Sequence, residues 1–269
     1  MKPAPKDLGP FFHPGSGVGI LLVHGFTSTP LAMEPLAVAL SKAGYTTSVP
    51  MLAGHGTTPE QMAKTTAEEW YASADKAYQQ LAKVCEKVFV IGGSLGAVIA
   101  CRLAARHPLE GVVLLGAPML LERQWLIRLG TVLFPLVGKH FYEKGRTRFG
   151  IRYYENAPKV LEDKEEVMGS NGQSYRHIPI PSIRQLLRFV KNVKSKDIPR
   201  LTDMPVLVVQ SMSDGLVDPR SGEILFSSLP AKDKKLVWVE EPHHRIHSGG
   251  KDDRLYQLVI EFIEGHSGA

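Results

Sequence analysis

The segment Lys87-Val88-Phe89-Val90-Ile91-Gly92-Gly93-Ser94-Leu95-Gly96 constrains the fold more than any other stretch of the chain. A run of β-branched and aromatic residues reads as a buried strand. It leads straight into a serine flanked by glycines, and the stretch from Ala97 to Ala105 that follows is compatible with a helix. A Gly-x-Ser-x-Gly turn between strand and helix bends so sharply that residues two positions either side of the serine must be small, a demand met by Gly92 and Gly96. The serine hydroxyl is then expected at the carboxyl edge of a sheet.

The rest of the chain supports a sheet of that kind. Val18 to Val23, Tyr45 to Val49, Lys87 to Ile91, Gly111 to Leu115, Val206 to Gln210 and Lys235 to Val239 read as six strands, most of them nearly continuous apolar runs suited to burial on both faces. Helix signals alternate with them. Pro30 to Ala43 is expected as a helix with Thr29 as N-cap and Gly44 beyond its end. Ala67 to Cys85 opens on Thr66 and Glu69 at capping-box spacing and carries Trp70, Ala74, Ala77 and Leu81 along one stripe. Ser221 to Ser228 and Arg254 to Ile263 supply two later helices. Alternation of this type predicts an α/β fold with a mostly parallel, doubly wound sheet of about six to seven strands.

The alternation breaks between Met119 and Ile198, where two consecutive strands are separated by far more chain than a crossover helix requires. The expected organisation is a core of residues 1–118 and 199–269 with a cap insertion of residues 119–198, which includes an amphipathic helix from Ser182 to Val193. The ends, before Phe11 and after Gly265, read as frayed.

Several classes of protein fall away on composition. No apolar stretch approaches the ~20 residues of a membrane span, and Lys2 to Pro14 lacks the apolar core of a signal peptide, so a soluble cytoplasmic protein is expected. Cys85 and Cys101 are the only cysteines and stand in no ligand cluster, so they read as core thiols. The net charge of +5 comes without an RNA-binding or recognition-helix pattern, and no nucleic-acid partner is expected.

A serine hydroxyl becomes a useful nucleophile when a base removes its proton and an acid orients that base. In this topology both must lie in loops at the same sheet edge as Ser94. After the strand Val206 to Gln210 come two aspartates, Asp214 and Asp218. Asp218 immediately precedes Pro219 and reads as a helix N-cap with Pro219 as the first helical residue, which leaves Asp214 as the better acid. After the last strand stand His243, His244 and His247. His243 and His247 could share a helix face as metal ligands, but no third ligand accompanies them, and spacing does not separate His243 from His244 as the base. An oxyanion would be met by the backbone N–H of Leu95 and by that of Phe26, in the loop His24-Gly25-Phe26-Thr27-Ser28, where Gly25 lets the chain turn beneath the site. No cofactor is required.

These residues resemble a known family. Leu22-Val23-His24-Gly25-Phe26-Thr27-Ser28, Leu52-Ala53-Gly54-His55-Gly56-Thr57, Thr65-Thr66 with Trp70, the Ser94 turn, Asp214 and His244 are together similar to the α/β-hydrolases, and within them to small bacterial carboxylesterases and monoacylglycerol lipases. The resemblance implies the α/β-hydrolase fold with a helical cap. It also implies a Ser94-His244-Asp214 triad, with Phe26 and Leu95 as oxyanion donors and a small-molecule acyl ester of short to medium chain as substrate. Two departures stand out: His243 replaces the small residue that usually precedes the catalytic histidine, and Gly93 and Leu95 replace the Leu and Met of the familiar Gly-Leu-Ser-Met-Gly turn. The same constellation opens thioesters and amides, so an acyl thioesterase or amidase is the alternative activity, and a catalytically silent binding protein the alternative outside enzymes.

The insertion carries Arg123, Arg128, Lys139, Lys144, Arg146, Arg148 and Arg152 against Glu122 and Glu143, interleaved with apolar residues. Two faces are expected: an apolar one, including Trp125 and Leu126, that lines an acyl pocket over Ser94, and a basic one that is solvated or meets an anionic interface. Packing of the insertion onto the sheet would account equally for the apolar residues.

Overall fold

The computed structural model describes residues 9–120, 152–154, 177–240 and 254–268. Its centre is a seven-stranded sheet in the order β1-β3-β2-β4-β5-β8-β9. The strands are β1 (Phe11–His13), β2 (Val18–Val23), β3 (Thr46–Val49), β4 (Lys87–Gly93), β5 (Gly111–Leu115), β8 (Val206–Ser211) and β9 (Lys234–Val239). All neighbours pair in parallel except β1, which pairs antiparallel with β3 at the edge. β6 (Arg152–Tyr154) and β7 (His177–Pro179) form a separate two-stranded parallel sheet.

The expected α/β-hydrolase fold is present, and its sheet shows why the strands read as continuous apolar runs. Side chains of a strand alternate between faces, and here both faces are covered. Leu21, Val23, Val88, Val90, Val112, Leu114, Val206 and Val208 enter one apolar core. Their neighbours Ile20, Leu22, Phe89, Ile91, Val113, Leu115, Leu207 and Val209 enter a second one. The second core is closed by α1 (Glu34–Lys42) and α7 (Arg254–Ser267). The first is closed by α3 (Ala67–Leu81), α4 (Leu95–Ala104), α5 (Ile180–Lys196) and α6 (Arg220–Ser228). A short α2 (Pro59–Ala63) precedes α3. Leu186, Phe189 and Val193 of α5 belong to the same core as the sheet, so this part of the chain between β5 and β8 is packed onto the main body.

Several boundaries differ from expectation for identifiable reasons. β1 was not anticipated: three residues are too few to show a period, and only pairing with Thr47 to Val49 makes them a strand. The helix expected over Pro30 to Ala43 is split into a 3-10 turn, Pro30–Ala32, and α1. Pro35 lies in the first turn of α1 and has no N–H to donate back, and Thr29 makes no side-chain cap. α3 keeps its capping box, with Thr66 and Glu69 bonding each other's backbone N–H groups, but ends at Leu81 rather than Cys85. α4 starts at Leu95, two residues before the expected Ala97. Cys85 and Cys101 are buried free thiols, and burial pushes the Cys101 thiol up to about 12. No described helix is long and apolar enough to cross a membrane.

Candidate active site

The chain order places β3 on one side of β2 and β4 on the other, so loops leaving the carboxyl ends of β2 and β4 open beside each other at a point where the winding reverses. Val23 at the end of β2 is in register with Gly92 of β4. The residues after them, 24–29 and 94, therefore share one edge.

Ser94 has φ 55 and ψ −116, a left-handed conformation that costs a non-glycine residue about 1–3 kcal/mol. The cost is met by close packing of backbone on backbone. A Cβ on Gly92 would lie 2.2 Å from the Gly96 carbonyl oxygen, and one on Gly96 would lie 2.0 Å from that of Val23. Neither position can hold a side chain, which is the spatial reason for the glycine spacing. The Ser94 N–H donates to the Leu115 carbonyl at 2.8 Å, fixing the turn to β5. Leu95 is the first residue of α4, and the N–H groups of a helix's first turn have no acceptor within the helix. Its amide is thus a donor at the positive end of the helix dipole.

The β2 loop comes up against the same serine. A Cβ on Gly25 would stand 3.3 Å from the Ser94 Cβ, so Phe26 follows a residue in near contact with the elbow. Thr27 has φ 61 and, with Ser94, is one of only two non-glycine residues with positive φ among the described residues. Both strained positions therefore border one small region, the pairing expected of a site rather than of a scaffold.

Asp214 follows β8 and is buried, 6% exposed. Its Oδ1 accepts the backbone N–H groups of Leu216 at 2.8 Å and Val217 at 3.0 Å, which orient the carboxylate. Asp218 is occupied elsewhere. Its carboxylate accepts the Arg220 N–H at 2.9 Å and pairs with the Arg220 guanidinium at 2.6 Å, an interaction that holds its pKa below the usual value. The helix begins at Arg220, one residue before the expected Ser221, with Pro219 at the cap position rather than as the first helical residue, and Asp218 still serves that helix end. His243, His244, His247, Trp125 and Leu126 lie outside the described residues.

One constellation was not anticipated as part of the site. His24 and His55 are both buried, with ring centroids 5.2 Å apart. Phe26 lies 6.4 Å from His55 and 5.7 Å from Trp70, and His55 lies 5.7 Å from Trp70. The Leu52 N–H donates to His24 Nε2 at 3.2 Å, which puts the proton on Nδ1, 3.0 Å from the Gly25 carbonyl. Burial lowers the His55 pKa to about 4, so this ring is neutral. The sequence signal was Gly54-His55-Gly56 itself, a histidine in an otherwise small and apolar loop.

Residues 18–250 match the family described as serine aminopeptidase, S33. The chain belongs to this family. It is an α/β-hydrolase. It is 32% identical over 262 residues to a thermostable monoacylglycerol lipase of Bacillus sp. (strain H-257), covering 96% of this chain and 95% of that protein. It is also 27% identical to a carboxylesterase of Bacillus subtilis (strain 168), covering 95% of this chain and 96% of that one. A solved structure described with the metagenome-derived lipolytic enzymes LipS and LipT superposes with a TM-score of 0.77 at 27% identity, covering 96% of this chain and 98% of that one. The similarity spans the elbow, the Phe26 loop and the strand that leads to Asp214.

Proposed function

We propose that this serine hydrolase cleaves carboxylic esters through an acyl-enzyme on Ser94, with His244 as base and then acid and Asp214 orienting it. Attack forms the bond from Ser94 Oγ to the carbonyl carbon while the hydroxyl proton passes to His244. Collapse breaks the ester C–O bond, and the departing alcohol takes that proton. Water then repeats the sequence against the acyl group, releasing the acid and restoring Ser94. The Phe26 and Leu95 N–H groups hold the oxyanion in both halves; loss of one such donor costs about 3–4 kcal/mol of transition-state stabilisation.

The observation that carries this reading is the strained Ser94 at the amino end of α4, with the Gly25-Phe26 loop in near contact beside it. The names of the relatives, a monoacylglycerol lipase and a carboxylesterase, support carboxylic esters as the substrate class; within it the proposed substrates are short- to medium-chain acyl esters, monoacylglycerols among them. The segment 119–198 is assigned as a cap over the site, with Trp125 and Leu126 on its acyl-binding face. The family description, serine aminopeptidase, favours peptide or amide bonds as a second reading. A panel of 4-nitrophenyl acyl esters, monoacylglycerols, acyl thioesters and aminoacyl nitroanilides, compared by kcat/KM, decides between them. Esters of short to medium chain are expected to lead, and a nitroanilide or thioester at the head of the ranking would overturn the assignment.

A further inference from the structure

We infer that His55 is a positioning residue for the oxyanion loop: it holds the Phe26 ring, and with it the Phe26 N–H, against the Ser94 elbow. The inference rests on the reading above, in which that N–H meets the oxyanion.

The β2 loop is braced from outside as well as from within. Thr27, a β-branched residue, is held at φ 61, and such a conformation persists only where the surroundings impose it. Within the loop itself, the Ser28 N–H donates to the Gly25 carbonyl at 3.2 Å and the Thr27 hydroxyl to the Phe26 carbonyl at 2.6 Å. Further support comes from a separate loop, residues 52–57. From it the Leu52 N–H grips His24, and His24 grips the Gly25 carbonyl, so one backbone bond of the oxyanion loop is relayed through an imidazole. His55, three residues further on, meets both His24 and Phe26 and is backed by Trp70.

The 52–57 loop is in turn built to present that ring. Gly54 and Gly56 take φ +72 and +66, so His55 sits between two left-handed residues. A Cβ on Gly54 would lie 2.7 Å from Thr65 Oγ1, the atom that accepts the Trp70 indole N–H at 2.8 Å. The Thr65 hydroxyl donates onward to the Met62 carbonyl at 2.8 Å. The Ala53 N–H donates to Ser73 Oγ at 3.1 Å, tying the same loop to α3. Gly54-His55-Gly56, Thr65 and Trp70, separate in sequence, thus form one clamp.

The chemistry of His55 argues against simple filling. Its Nδ1 lies 3.0 Å from the Ala53 carbonyl, an acceptor only, so Nδ1 carries the proton and Nε2 is a bare acceptor. That Nε2 is buried without a hydrogen-bond partner among the described residues, and the residue is 1% exposed. A leucine would fill the volume without leaving a buried nitrogen unsatisfied. The imidazole adds an N–H that locks the ring plane to its own loop and T-shaped contacts with its ring neighbours.

The test uses the full-length protein, with kcat expressed per site titrated by a fluorophosphonate. A trifluoromethyl ketone reports oxyanion binding, because it forms a tetrahedral adduct with a serine, and a carboxylate product reports ground-state binding. His55→Leu is expected to lower kcat about tenfold and to weaken the ketone by a similar factor, consistent with a displaced donor. KM and the product inhibition constant should stay within about twofold, since those contacts lie elsewhere. Equal weakening of ketone and product, or kcat within twofold of wild type, would overturn the inference. Trp70→Phe keeps a ring behind His55 but loses the Thr65 bond; it should show the same split at about threefold, and an unchanged kcat in this variant would also count against the clamp. Failure of the wild-type protein to bind the ketone or the fluorophosphonate would instead remove the acyl-enzyme reading itself.

Discussion

At the elbow, Ser94 is held by backbone packed on backbone, with Gly92 against Gly96 and Gly96 against Val23. One strand away, Phe26 is held by side chains, through His24, His55 and Trp70. The first arrangement depends on the absence of atoms, between Gly92 and Gly96 within the turn and between Gly96 and the end of β2. The second depends on the presence of particular rings drawn from three segments of chain. A site can therefore be rigid for two unrelated reasons, and the two halves should respond differently to substitution.

The largest expected difference is in folding. Gly96→Ala places a methyl 2.0 Å from the Val23 carbonyl oxygen, where neither partner can give way, and should destabilise the protein by more than about 4 kcal/mol. Urea denaturation followed by tryptophan fluorescence checks this. A midpoint near that of wild type would break the claim that the elbow is fixed by backbone sterics.

The ring cluster should reveal itself through pH. On folding, the His55 pKa falls from 6.5 to about 4 because burial penalises its charged form. Below 6.5 the unfolded chain takes up a proton that the native ring refuses, so the stability tied to the neutral ring is complete above 6.5. It is lost as the pH falls towards 4, on the order of 3 kcal/mol in all. Among the described residues, His24 is the titratable side chain whose ring meets His55, and Phe26 and Trp70 carry no charge. His55→Phe has nothing to protonate at this position, so its stability should fall by that much less than the wild type's between pH 6.5 and 4. Parallel stability profiles in urea would contradict the buried neutral assignment.

Gly25 lies at the junction of the two halves and offers the smallest effect. An added Cβ there would meet Ser94 Cβ at 3.3 Å and the Gly93 carbonyl at 3.4 Å, tight contacts that a shift of a few tenths of an ångström in the loop would relieve. Gly25→Ala should therefore fold with a loss of about 1–2 kcal/mol yet lose about tenfold in kcat, as the Phe26 loop moves off the elbow. A loss of stability like that of Gly96→Ala would show that the loop is as rigid as the turn.

The same contrast explains what was legible in the sequence. The strands Val18–Val23 and Gly111–Leu115 read correctly to the residue, because both faces of the sheet are covered and each strand is apolar throughout. The elbow was legible because the contact between Gly92 and Gly96 acts within a few residues, even though Gly96 is also pressed by Val23 of β2. β1 was not, since three edge residues become a strand only through pairing with β3. The role of Asp218 could be read from the adjacent proline, although its carboxylate caps a helix that starts at Arg220 rather than at Pro219. The clamp on Phe26 was invisible because Gly54-His55-Gly56 and Trp70 reach the Phe26 loop only after α3 has packed against the sheet. The motif was recognisable as a resemblance, while its physical use emerged from ring distances that no spacing encodes.

The central claim is that Ser94 is the activated nucleophile, and intact-protein mass spectrometry after treatment with a fluorophosphonate tests it most directly. Wild-type protein should gain one phosphonyl group, carried on the peptide containing Ser94, while Ser94→Ala should gain none and lose ester hydrolysis. A phosphonyl group on any other residue, or turnover retained by Ser94→Ala, would contradict the account.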